Sequence, residues 1–145
     1  MKEEGNEHYI VPILFNRALK SFNKVCDEYL KPYGLSKFHG FYLMTLFKHP
    51  RGLKLNDFNT IIGCDKANTS RAVADLEKME LASRDYSTTT EKKFLVKLTE
   101  TGKVIASKFD ENMKKFADKI FSCLDESERL QLIYLMNKIK EGFEC

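Results

Sequence analysis

Apolar residues recur at three- and four-residue steps along most of this chain. Between His8 and Leu30, Val11, Leu14, Ala18, Phe22, Val25 and Tyr29 keep that spacing, and Ile13, Leu19, Cys26 and Leu30 widen the stripe. The period predicts a long first helix. Pro12 is assigned to its first turn, where proline is tolerated. Lys31-Pro32-Tyr33-Gly34 ends it, since proline cannot continue a helix and glycine suits the turn. Ser36 can cap a second helix carrying Phe38, Phe41, Tyr42, Met44, Leu46 and Phe47, up to the break at His49-Pro50-Arg51-Gly52. Asn56 is the predicted cap of a short third helix through Ile62, with Asp57 at its positive end and Gly63 closing it. Asp65 opens a fourth helix to about Glu80, with Ala67, Val73, Leu76 and Met79 on its inner side and Asn68, Arg71, Asp75 and Lys78 outside.

The texture then changes. A short segment from Ala82 to Tyr86, a polar run Ser87-Thr88-Thr89-Thr90 and the β-prone Phe94-Leu95-Val96-Lys97-Leu98 predict two strands around a polar tip. A fifth helix follows, with Val104, Ile105, Phe109, Met113, Phe116 and Ile120. Asp125 and Glu128 then form a capping-box pattern that opens a sixth helix. The predicted fold is mainly α with a small β-hairpin wing: a winged helix-turn-helix over about 36–102, flanked by long helices over about 8–32 and 103–144, within one domain spanning 1–145.

Composition narrows the function. The formal charge of +3 permits an anionic partner without demanding one. Four cysteines, Cys26, Cys64, Cys123 and Cys145, stand apart from one another and from any Cys/His pair, which argues against a zinc site and a disulfide framework and predicts free, mostly buried thiols. No catalytic constellation, metal spacing or phosphate loop is present, so neither an enzyme nor a bound cofactor is expected. The polar start of the chain and the lack of a long apolar run predict a cytoplasmic protein without a membrane partner.

The middle of the chain carries the positive evidence. In a helix-turn-helix the second helix enters the major groove of double-stranded DNA with its N-terminal end, which should display short polar side chains and a long cation. The fourth helix opens with Lys66, Ala67, Asn68, Thr69, Ser70 and Arg71. Asn reads adenine, Arg reads guanine and Ser or Thr reads either. Asn68, Ser70 and Arg71 are therefore the candidates for base contacts. Lys66, Thr69, Arg84, Lys92 and Lys93 are candidates for phosphates, with Ser36 and Lys37 adding a contact at the start of the second helix. For Arg71 an ion pair with Asp75, four residues on, is the alternative.

From Ile62 to Gly102 the chain resembles the MarR (multiple antibiotic resistance regulator) family of winged helix-turn-helix regulators. Asp65, Arg71, Leu76-Glu77, Glu80-Leu81, Arg84 and Leu98-Thr99-Glu100-Thr101-Gly102 match the family pattern without gaps. Glu80 stands where the family has glycine at a positive-φ position. Thr90 and Lys92 stand where its wing carries an Asp and an Arg, which implies a looser wing. The resemblance implies a homodimeric transcriptional regulator, a repressor by expectation, on a pseudo-palindromic operator.

The residues agree with a dimer, because the first and last helices are apolar over a wider arc than one contact face requires. The family resemblance also implies release of DNA by a small ligand. A small aromatic effector would fit a cavity lined by Phe15, Phe22, Tyr29, Phe38, Tyr42 and Phe116, although these residues also read as plain core. Cys64, just before the recognition helix, is a candidate redox site. The competing reading is a winged-helix module that binds protein, because Asp75, Glu77, Glu80, Asp85 and Glu91 nearly cancel the cations between Lys66 and Lys93.

Overall fold

The computed structural model describes residues 5–87 and 93–143. Six α-helices and one hairpin follow in the predicted order: α1 Glu7–Tyr29, α2 Lys37–Lys48, α3 Leu55–Ile62, α4 Lys66–Lys78, β1 Ala82–Asp85, β2 Leu95–Leu98, α5 Glu100–Ile120 and α6 Glu126–Lys140. Short 3-10 turns, Lys31–Tyr33 and Phe121–Cys123, follow α1 and α5. Because α1 starts at Glu7, Pro12 falls in its second turn, and its missing N–H deprives the His8 carbonyl of the usual helical donor.

The helix starts follow local side-chain chemistry. Asp65 Oδ1 accepts the Asn68 N–H at 2.7 Å and so caps α4. At α6, Asp125 and Glu128 exchange bonds of 2.8 and 3.0 Å, the predicted capping box. The start of α3 differs from expectation. Its cap is Lys54, not Asn56, because the Asp57 carboxylate reaches back to the Lys54 N–H at 2.9 Å.

The core centres on the winged lobe and is completed by α1 and α5. Helix α2 runs through its centre and touches α1, α3, α4, α5 and β2. Tyr42, Leu43, Leu46, Phe58, Val73, Leu76, Val96 and Phe109 are fully buried there. Each such side chain contributes about 1.5–3 kcal/mol by leaving water. The strands pair antiparallel, Ala82 with Leu98 through Asp85 with Leu95. Leu53 adds a bridge to Val96 through bonds of 3.0 and 2.8 Å, which ties the wing to the segment before α3.

Helices α1 and α6 contribute much less to this core than α5, which buries Ile105, Ala106 and Phe109. Helix α6 buries none of its residues, and α1 buries only Phe22 and Cys26. Their exposed apolar side chains include Tyr9, Leu14 and Phe15 on α1 and Leu130, Tyr134 and Ile139 on α6, each at least half exposed. No helix among the described residues is long and apolar enough to cross a membrane.

Candidate nucleic-acid interface

Helix α3, the turn at Gly63 and helix α4 form the helix-turn-helix. Gly63 adopts φ 81°, a left-handed conformation that ends α3 and turns the chain into α4. On α4, Lys66, Ala67, Ser70, Arg71, Ala74 and Lys78 are all exposed. Their three- and four-residue spacing makes one continuous face. Asn68 is half-buried beside it. Three of the candidate contacts, Lys66, Ser70 and Arg71, therefore share a surface. Ala67, assigned to the inner side from the sequence, lies on that outer face instead.

Thr69 is a correction. It is 1% exposed, and its hydroxyl donates to Asn59 Oδ1 at 2.8 Å and meets the Tyr42 hydroxyl at 3.2 Å. It joins α2, α3 and α4 from inside and cannot reach a phosphate. Burial pushes the Tyr42 phenol up to about 12, with the Cys64 thiol and Asp65 acting in the same direction against the Thr69 hydrogen bond. The phenol therefore stays a neutral hydrogen-bonding group.

Arg71 is exposed, and Asp75 is engaged elsewhere: its Oδ2 lies 2.9 Å from His39 Nε2. The Ser36 N–H donates to His39 Nδ1 at 3.1 Å. His39 thus caps α2 with one ring nitrogen and holds α4 with the other. Ser36 and Lys37 are both exposed, but the Ser36 N–H is already committed to His39 and is not available to a phosphate. No periodic signal marks His39, because its partner lies 36 residues away.

At the wing, Arg84 Nε–H donates to both Glu77 carboxylate oxygens, at 2.9 and 3.1 Å. The Glu77 hydrogen bond raises the guanidinium above its ordinary value. Arg84 is thus a bonded member of the wing base, with its Nε–H committed to Glu77 and its side chain 37% exposed. Lys93 is exposed, while Thr90 and Lys92 lie outside the described residues.

No protein-family model matches the chain. A curated relative, the HTH-type transcriptional regulator BilQ of Clostridioides difficile (strain CD3), is 30% identical over 132 residues, covering 86% of each chain. Two solved structures share the fold. S. aureus MepR in its DNA-binding conformation has a TM-score of 0.81 at 20% identity, covering 91% of this chain and 97% of that one. A MarR-family regulator from Silicibacter pomeroyi has a TM-score of 0.79 at 23% identity, covering 99% and 96%. The chain belongs to the MarR family of transcriptional regulators.

Placed in the MarR family, the departures of this chain gain a structural meaning. Glu80 stands where the MarR pattern has glycine, and it keeps the left-handed backbone, with φ 60°. Around it, Leu81 N–H bonds the Leu76 carbonyl at 2.9 Å and Glu80 N–H bonds the Glu77 carbonyl at 3.0 Å. This is the Schellman ending of a helix, which requires that backbone whatever the side chain. The MarR-pattern Gly102 is required by close approach: a Cβ there would lie 2.0 Å from the Leu81 carbonyl oxygen. Across the described strands of the wing, Lys97 Nζ bonds Asp85 Oδ2 at 2.6 Å.

The aromatic cavity takes a different form. Phe22 and Tyr42 are buried core, Tyr29, Phe38 and Phe116 pack partly buried against it, and Phe15 is half exposed. A pocket of about 400 Å³ lies instead between α1 and the start of α2, lined by Asn23, Asp27, Lys31, Leu35, Ser36 and Lys37. Asn23 Oδ1 is buried there without a hydrogen-bond partner. The cysteines also differ from expectation. Only Cys26 is buried, Cys64 is partly buried and Cys123 is exposed, while Cys145 lies outside the described residues.

Proposed function

We propose that the protein represses transcription as a homodimer that binds a pseudo-palindromic operator in double-stranded DNA. The observation that carries this reading is the outer face of α4. Lys66, Ala67, Ser70 and Arg71, with Asn68 at its edge, form a narrow face of short side chains and long cations. Arg71 reads guanine, Asn68 reads adenine, Ser70 reads either and Ala67 meets a thymine methyl. Lys66, Lys37 and Lys93 are assigned to phosphates, as is Lys92 on the sequence alone. The solved complex of S. aureus MepR with DNA, at 22% identity and a TM-score of 0.73, supports this use of the fold.

The exposed apolar faces of α1 and α6 support the dimer. Pairing them between two copies removes that surface from water and sets two recognition helices about 34 Å apart, one turn of duplex. The pocket beside Asn23 supports release by a small ligand. Its lining, with Lys31 and Lys37 offset in part by Asp27, favours a polar ligand. Such a regulator works in the cytoplasm.

Selection from a random duplex pool across a salt series tests the reading. Enrichment of a pseudo-palindrome with half-sites one turn apart supports it. Unselective retention that vanishes at modest salt rejects it and leaves the protein-binding module.

A further inference from the structure

A side-chain cluster lies between the recognition helix and the wing. Glu77, in the last turn of α4, holds the Arg84 Nε–H on both carboxylate oxygens. The Arg84 guanidinium lies 4.3 Å from the centre of the Phe94 ring, and Phe94 packs on Tyr86 with ring centres 5.5 Å apart. The Glu77 and Arg84 side chains are 27% and 37% exposed. The cluster therefore joins three elements, α4, β1 and the residue before β2. A free surface ion pair contributes little, but this one is stacked on an aromatic ring and partly removed from water.

We propose that Glu77 is a positioning residue. By fixing Arg84 on Phe94 it sets the angle of the wing to the recognition helix, and it strengthens DNA binding although it is itself an acid. The proposal rests on the DNA-binding reading for its functional part. It makes a prediction whose sign is opposite to simple electrostatics. A carboxylate near a phosphate backbone repels it, so its removal should tighten binding. Removal of a latch should weaken it.

The test uses the full chain and the duplex pool retained by the parent protein. Glu77→Gln should lower affinity about two- to fivefold, the range of a half-exposed ion pair, at every salt concentration. The slope of affinity against salt should stay unchanged, because no phosphate contact is lost. Glu80→Gln removes the same charge three residues away, outside the cluster, and should leave affinity equal or higher. Arg84→Lys keeps the charge but loses the planar fork and the stacking, so it should behave like Glu77→Gln.

Tighter binding by Glu77→Gln overturns the proposal. So does full retention of affinity by Arg84→Lys, which would mark Arg84 as a phosphate contact. Amide hydrogen exchange of the free protein separates this from failure of the DNA reading. Whether or not DNA is bound, Glu77→Gln and Arg84→Lys should speed exchange in Ser83–Asp85 and Leu95–Lys97 while Val73 and Leu76 in α4 stay protected. Unchanged exchange in both strands overturns the latch even where the parent binds DNA.

Discussion

Replacing Glu80 by glycine removes a conflict between a side chain and the backbone that the fold demands. The left-handed φ of 60° is set by the two hydrogen bonds that close α4, and Leu81 and Leu76, the residues flanking the motif, are both buried. The Cβ of a non-glycine residue in that conformation costs about 1–2 kcal/mol. Glycine relieves this but adds freedom to the unfolded chain, an offset of about 0.4–1 kcal/mol. Glu80→Gly should therefore stabilise the protein by about 0.5–1 kcal/mol from backbone relief, a rise of about 2–4 °C in Tm. Loss of a carboxylate at the negative end of α4 adds a separate gain of about 0.3–1 kcal/mol. Glu80→Ala isolates that electrostatic part, because it removes the charge and keeps the Cβ. Urea unfolding followed by far-UV circular dichroism suits a chain without tryptophan. Protein concentration must be held constant, since the proposed dimerisation would shift apparent stability. If Glu80→Ala stabilises as much as Glu80→Gly, backbone strain is refuted as the cause.

Four further outcomes are expected. Thr69→Val removes the hydroxyl that joins α2, α3 and α4, and should destabilise the fold by about 1–3 kcal/mol in the same unfolding assay; an unchanged midpoint would show that the network contributes nothing. The hydrogen bond from Lys97, reinforced by Ser87, holds the Asp85 carboxyl well below the usual carboxylate range. The stability it confers is therefore complete above the ordinary value near pH 4 and is lost as pH falls further. Lys97→Met should weaken that acid dependence, and an identical acid unfolding profile would remove Asp85 from the account. Burial, reinforced by Asp27, pushes the Cys26 thiol up to about 11, so it should resist alkylation until the protein unfolds. Cys64, partly buried beside α4, should react in the native state and weaken DNA binding when it does. Peptide-resolved labelling checks both, and a Cys64→Ser protein that responds to peroxide like the parent would exclude the redox role.

The elements were largely legible because their signals are local. Apolar spacing located the helices, Asp65 and Asp125 marked two of their starts, and the match around Glu80 foretold its positive φ. The interface was legible only in part. Helix α4 carries few large apolar residues, so periodicity could not decide between Ala67 and Thr69, and the inward residue proved to be the polar one. Thr69 is satisfied by Asn59 and Tyr42, partners from other helices that no local pattern reveals. His39 and Arg84 were obscured for the same reason, since Asp75 and Glu77 meet them only in the folded chain. The start of α3 moved because an aspartate three residues into the segment supplied the cap that Asn56 was expected to provide.

The most direct test of base reading by α4 is the affinity of the parent and of Arg71→Ala for every single-base variant of the selected duplex. The account predicts that Arg71→Ala loses discrimination at one base pair in each half-site, about 1–3 kcal/mol, and keeps it elsewhere. An equal loss on all sequences, with a salt slope reduced by about one unit, would make Arg71 a phosphate contact and contradict the reading of this face.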